Sequence, residues 1–335
     1  MRLLQLKDDD DVDLVEFIGR DTPPYAILSH TWGPSKEEVT YREVLRGTGK
    51  SKAGYRKILN CGKQALKKEL KYFWVDTCCI DKTSSTELSE AINSMFRWYR
   101  EAAICFAYLD DVSPGISVSS WSTTTVRWLS RGWTLQELVA SRNLDFFACD
   151  WTLLGTKADY SEALSAITGI HAPALVDQSI TSFSIAQRMS WAARRVTTRP
   201  EDIAYCLLGL FGVNMPLLYG EGTIKAFTRL QEEIMKDSDD QSLFAWSRPW
   251  ERPTTDPTVL FWPRGLLAIY PAEFDGSGDI VSMPSLTRIN PFSMTNAGLR
   301  ITFPMTTVDP HKVALLNCHT HTDPTRLVTI HLTQL

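Results

Sequence analysis

The sequence predicts an α/β fold built on a parallel, doubly wound sheet. Short apolar strand signals alternate with stretches of helical periodicity through the first half of the chain, the pattern of strands joined by crossover helices. The strand at residues 25–29 runs straight into the small, polar and aromatic residues Ser29-His30-Thr31-Trp32-Gly33, as strands do where they open onto a ligand edge. A glutamate, Glu137, stands in the opening turn of a helix directly after Arg131, Gly132 and Trp133.

Each element has its own warrant. Residues 51–70 read as a helix with Ile58, Leu59, Ala65, Leu66 and Leu70 available for an apolar face. Residues 72–75 form a second strand that ends at Asp76. Leu88, Ile92, Met95 and Tyr99 follow helical spacing, and Ser84-x-x-Glu87 is a capping box at that helix's start. Residues 104–109 are a third strand, the Ser/Thr-rich stretch 113–125 a loop, and 144–148 a fourth strand beyond the helix that begins near Thr134. From about 151 to 236 the signal is helical. Thr198-x-x-Glu201 reads as a second capping box with Pro200 in the first turn, and Ile203, Leu207 and Leu210 share a face beyond it. Past Ser242 the character changes to short apolar runs at 265–270, 299–303, 313–316 and 327–332. The expected division is therefore 1–242, an α/β domain with a helical layer, and 243–335, a β-rich segment docked on it with Trp246, Phe261 and Trp262 buried at the contact.

Composition narrows the function classes. With 335 residues, 44% apolar, 22% charged and a net charge of −4, the chain reads as globular, with no general pull toward nucleic acid or anionic membrane. Lys63, Lys67, Lys68 and Lys71 fall near helical spacing and read as a solvated helix face or a phosphate-binding patch. No signal peptide is expected, because 1–6 is short and 7–13 strongly acidic. The most apolar window, 203–219, is interrupted by Asn214 and Pro216, so no membrane span is expected. Seven cysteines without a C-x-x-C fit free thiols in a reducing, cytoplasmic setting. His319 and His321 alternate along a strand signal with the single Cys318 beside them, short of a four-ligand set, so no metal site is expected.

The chemistry centres on Glu137. Thr134-x-x-Glu137 has the spacing of a capping box, in which the carboxylate would satisfy a free backbone N–H; the alternative is catalysis from the strand-end edge. Trp32 is suited to stack on a planar ring or to close the top of the sheet, and His30 to donate to a ribose or phosphate or to serve structure alone. Neither G-x-G-x-x-G nor G-x-x-x-x-G-K-[ST] occurs, which disfavours dehydrogenase-type dinucleotide binding and P-loop hydrolysis. Asp76, Cys78, Cys79 and Asp81 end the second strand. A Cys78 or Cys79 thiolate activated by His30 would make a cysteine hydrolase. Arg188, Arg194, Arg195 and Arg199 around Trp191 would clamp a pyrophosphate or pair with Glu201, Asp202 or a helix end.

Four blocks carry a family resemblance: YAILSHTWG (from Tyr25), WVDTCCID (from Trp74), SRGWTLQEL (from Ser130) and RMSWAARRVTTRPEDIAYCLLGLFGVNMPLLYGEG (from Arg188). In this order, over about 20–245, they resemble the fungal heterokaryon-incompatibility domain, the HET domain. The resemblance implies a role in non-self recognition that ends in programmed cell death. The HET domain is similar in turn to the TIR domain, some of whose members cleave NAD with a helix-borne glutamate in a W-C-x-x-E-L-like pattern. Trp133-Thr-Leu-Gln-Glu137-Leu138 matches it, with Thr134 where the relative often has Cys. By this resemblance the fold would be a TIR-like, flavodoxin-type parallel core with an added helical layer and a β-rich C-terminal segment. Its catalytic residue would be Glu137, and its substrate would be bound by Ser29, His30, Thr31, Trp32, Gly33, Asp76 and Trp133. NAD would be substrate rather than cofactor, with the carboxylate stabilising an oxocarbenium-like ribose. Self-association and a protein partner from the incompatibility system would be expected. The alternative is a non-enzymatic module that signals by self-association or partner binding.

Overall fold

The structure is a computed structural model and describes residues 1–176, 179–247, 265–283, 292–296, 298–308 and 311–332. The chain divides into two compact units, 1–178 and 179–335, so the division expected near Ser242 falls inside the second.

The first unit is a seven-stranded sheet. Its strands are β1 (Arg2–Leu6), β2 (Val12–Glu16), β3 (Tyr25–His30), β4 (Tyr72–Trp74), β5 (Ile104–Tyr108), β6 (Leu144–Phe147) and β7 (Leu153–Thr156), in the order β2-β1-β4-β3-β5-β6-β7. The four central strands, β4-β3-β5-β6, are parallel. The expectation of a parallel sheet is corrected at the edges: β1 runs antiparallel to both β2 and β4, and β7 antiparallel to β6. The acidic run that dominates 7–13 is the turn of the β1–β2 hairpin. Its flanks bury Leu3, Leu4 and Val12, which is where the missed strands lay.

The helices of this unit are α1 (Tyr41–Leu45), α2 (Ala53–Lys67), α3 (Ser85–Glu101), α4 (Arg127–Ser130), α5 (Trp133–Ala140), α6 (Ser161–Thr168) and α7 (Ala172–Val176). Successive side chains of a strand point to opposite faces, and β4 shows the consequence. Phe73 faces Gly62 on α2, where an added Cβ would meet the ring at 2.9 Å. Trp74 packs edge-on against Trp98 and Tyr99 of α3, at 5.6 and 6.0 Å. The sheet is thus covered on both sides, and its central strands are buried throughout β3 and β6. The capping box at Ser84 is half formed. Ser84 Oγ accepts from Glu87 N at 3.3 Å, but the Glu87 carboxylate turns to Arg2 and to Asp81 N.

The second unit holds α8 (Ile185–Ser190), α9 (Asp202–Tyr205), α10 (Leu208–Phe211) and α11 (Thr223–Asp237). Strands follow: β8 (Ile280–Ser282), β9 (Ser293–Thr295), β10 (Gly298–Arg300), β11 (Met305–Val308), β12 (His311–Thr320) and β13 (Asp323–Leu332). β9 and β10 pair by themselves; β12 pairs with β11, β13 and β8, all antiparallel. The box expected at Thr198 is absent. The helix starts later, with Glu201 at its N-cap, and the Glu201 carboxylate instead accepts the backbone N–H groups of Gly220 and Gly222. The run 265–270 forms no strand, because Ala268 spends its backbone groups on the Gln231 side chain of α11: N–H to Oε1 at 3.0 Å, C=O from Nε2 at 2.8 Å. Further bonds join helix to C-terminal segment, Ser184 Oγ to Ile280 O at 2.7 Å and Gln187 Nε2 to Gly278 O at 3.3 Å. Trp246 is half-buried with its N–H on Leu266 O; Phe261, Trp262 and 249–257 lie outside the described residues. Among the described residues no helix is long and apolar enough to cross a membrane.

Candidate functional site

The carboxyl ends of β3 and β4 and the start of α5 meet in one network. Ser29 ends the apolar run of β3 and is fully buried. Its hydroxyl donates to the Glu137 carboxyl and accepts from Trp128 Nε1, on α4, at 2.7 Å. Glu137 is 7% exposed and does not cap its own helix. The N-cap is Gly132, and the Thr134 hydroxyl donates to the Trp128 and Arg131 carbonyls instead of accepting at the helix start. The capping-box reading of Thr134 and Glu137 is therefore corrected, since the carboxyl faces inward across the strand end.

Burial raises the Glu137 carboxyl to about 8. The neighbouring Asp76 charge pushes the same way, and the Ser29 hydrogen bond opposes it. Asp76 behaves oppositely. Burial acts upward on it too, but Lys82, His30 and the Trp32 indole outweigh that and hold it well below the usual carboxylate range. The site thus contains two carboxyl groups whose surroundings drive their titrations apart.

Asp76 organises the mouth. His30 Nε2 lies 3.1 Å from Asp76 Oδ1, and Trp32 Nε1 donates to Asp76 Oδ2 at 2.8 Å. Trp32 is 45% exposed, so it does not close the top of the sheet by burial, and Lys82 Nζ sits 3.6 Å from its ring centroid. The other His30 nitrogen, Nδ1, lies 3.0 Å from Lys57 Nζ, and Lys57 also bonds Glu38. An ammonium donates only, so Nδ1 accepts and the His30 proton sits on Nε2, toward Asp76. Gly33 N–H closes this side on Glu38 Oε1 at 2.7 Å. Thr31 donates to Asp110 at 3.0 Å and accepts from Arg127 at 2.8 Å. Trp133 is half-buried one turn before Glu137, on the same helix face.

The structure therefore gathers Ser29, His30, Thr31, Trp32, Gly33, Asp76 and Glu137 at one sheet edge. The cysteine-hydrolase arrangement is not formed. Both His30 nitrogens are engaged elsewhere, Cys78 and Cys79 are buried, and the Cys78 thiol is pushed up by its bond to Cys79 and by burial. The arginines near Trp191 do not converge either. Arg188 donates to Leu210 O, Arg194 pairs with Asp275, and Arg199 lies over the Tyr219 ring. Lys63 on α2 and Lys68 at its C-cap are paired with Asp10 and Asp145. A shallow cavity of about 240 Å³ beside Arg2, Cys79, Glu87 and Trp98 is separate from the network, and its arginine is already paired with Glu87.

Sequence reasoning missed Trp128, Lys57 and Lys82. The available signal for Trp128 was a large indole within the Val126–Leu129 run, since a buried indole N–H needs an acceptor.

Comparison with known proteins places these residues in context. Residues 25–122 match the family described as heterokaryon incompatibility protein (HET), and 225–324 match a domain of unknown function (DUF8212). Glu137 lies outside both matched ranges. The chain is 50% identical over 221 residues to the vegetative incompatibility protein HET-E-1 of Podospora anserina, an alignment covering 64% of this chain and 16% of that protein. No solved structure matches the chain.

Proposed function

The chain carries a fungal HET domain, and from that premise we propose that it acts in heterokaryon incompatibility as a cell-death effector that cleaves NAD at Glu137. The observation that carries the reading is the inward-facing Glu137 carboxyl, joined to Ser29 at the carboxyl end of a parallel strand. The four parallel strands run second-first-third-fourth in chain order, which supports a TIR-like, flavodoxin-type core. Trp32, half-exposed and pinned by Asp76, offers a ring face to a nicotinamide or adenine.

In the proposed reaction the N-glycosidic bond breaks and its electron pair leaves with the nicotinamide nitrogen. The ribose becomes oxocarbenium-like, and water adds to it and releases a proton. Ionised Glu137 stabilises the cation and takes that proton. Because burial holds Glu137 at about 8, the competent form grows as pH rises through that value, and the rate climbs with it.

One observation favours the competing reading, a non-enzymatic module that self-associates or binds a partner: Glu137 is only 7% exposed beneath Ser29 and Trp128. Purified chain incubated with NAD over a wide dilution range, with nicotinamide release as readout, separates the two. Release that rises with pH and faster than linearly with protein concentration supports an associating enzyme. A chain that triggers incompatibility without releasing nicotinamide belongs to the second reading.

A further inference from the structure

We propose that Trp128 is a positioning residue for Glu137, acting through the Ser29 hydroxyl; this rests on the reading of Glu137 as the reacting carboxyl. Trp128 is 1% exposed on α4, and its ring packs edge-on against Phe146 at 5.7 Å. An indole N–H can only donate. Its 2.7 Å bond to Ser29 Oγ therefore occupies one lone pair of that hydroxyl and directs the Ser29 proton to Glu137. Ser29 is fully buried, so water does not compete for the hydroxyl.

Tyr99 also lies beside the carboxyl; its hydroxyl, which reaches Leu28 O at 2.9 Å, adds to Ser29 in favouring the ionised form. The other titratable groups facing Glu137 are Asp76 beyond β4, Cys105 on β5 and Arg131 ahead of α5. Asp76 disfavours the ionised form, Arg131 favours it, and burial keeps Cys105 and Tyr99 neutral. Without the Trp128 donor, the Ser29 hydroxyl regains its rotation and its bond to ionised Glu137 weakens.

The experiment is a side-chain carboxyl NMR titration of Glu137 in the full chain, beside the pH profile of nicotinamide release. The variants are Trp128→Phe and Trp128→benzothienylalanine, which keep a ring and remove the N–H, and Ser29→Ala. The proposal expects each to raise the Glu137 midpoint by about half a unit or more, with the pH profile moving by the same amount. Adding a Trp128 change to Ser29→Ala should then do nothing further. A folded Trp128 variant with the wild-type midpoint overturns the proposal, as does a Trp128 effect that persists in full beside Ser29→Ala. The benzothienyl variant decides the matter if Trp128→Phe does not fold. If even the wild type releases no nicotinamide, the enzymatic reading falls, while the titration still decides the relay.

Discussion

Glu137 accepts the hydroxyl of Ser29, 108 positions earlier in the chain, and leaves its own helix start to Gly132 and Thr134. That single contact converts a local helix signal into a tertiary one, and it changes the expected effect of Glu137→Gln. Gln keeps the volume and can still accept from Ser29, so the fold is retained. The negative charge is lost, and NAD cleavage should fall by on the order of a hundredfold or more. Stability should respond to pH. The folded Glu137 carboxyl sits near 8 against an ordinary value of 4.5, so the folded chain holds the proton more tightly between those values. Wild-type stability from this group is fully present below about 4.5 and is lost as pH rises through about 8. Urea unfolding should show Glu137→Gln gaining on the wild type across that window. A constant difference from pH 5 to 9 would contradict the buried assignment.

Lys57 sets the histidine. Its ammonium at 3.0 Å makes His30 Nδ1 an acceptor and leaves the ring proton on Nε2, toward Asp76. Lys57→Met removes that constraint and leaves Glu38 without its cation. Nitrogen NMR of the imidazole should report one Nε2–H tautomer in the wild type and a mixture in the variant. A single unchanged tautomer would show that Asp76 alone holds the ring.

The alternation of strands and helices was legible because the parallel strands are buried on both faces and read as apolar runs. The β1–β2 hairpin was not, because its acidic turn hides two short flanks whose partner, β4, lies far along the chain. Ser29, His30, Trp32 and Asp76 were legible as strand-end residues, since chain order alone puts them at one edge. The role of Glu137 was not. Thr134-x-x-Glu137 has the spacing of a capping box whether or not the carboxyl turns inward, and only the position of Ser29 decides between them. The failed box at Thr198 has the same cause: Gly220 and Gly222, distant in sequence, compete for Glu201.

Lys157 closes the other end of the Glu137 helix. Its side chain is buried and donates to the carbonyls of Leu138 and Ser141, in the last turn of α5 and at its cap. Lys157→Met strands both acceptors and should cost about 1–3 kcal/mol for each that water does not reach. Burial pushes the Lys157 ammonium down to about 8 from 10.5. The unfolded chain then holds more protons between those values, so the wild type should gain stability on the variant as pH rises from about 8 to 10.5. A gap that narrows over that range would refute the assignment.

The last prediction concerns the second unit, where one side chain stands in for a missing strand partner. Gln231 is fully buried on α11, and its amide both donates to Ala268 O and accepts from Ala268 N. A third contact, Nε2 to Phe227 O at 3.0 Å, uses the remaining amide proton within the helix. Gln231→Leu preserves size and apolar packing but leaves the Ala268 N–H and C=O buried without partners. Each orphaned group costs about 1–3 kcal/mol, against which burial of a leucine side chain contributes a smaller gain. The variant should therefore unfold at lower urea than the wild type. Gln231→Glu separates the roles of the two amide atoms: its carboxylate can still accept from Ala268 N but, ionised, cannot donate to Ala268 O. It should lie below the wild type at neutral pH and recover as the pH falls and the carboxyl regains a proton to donate. A Gln231→Leu variant as stable as the wild type would mean that the 265–270 segment finds its hydrogen bonds elsewhere.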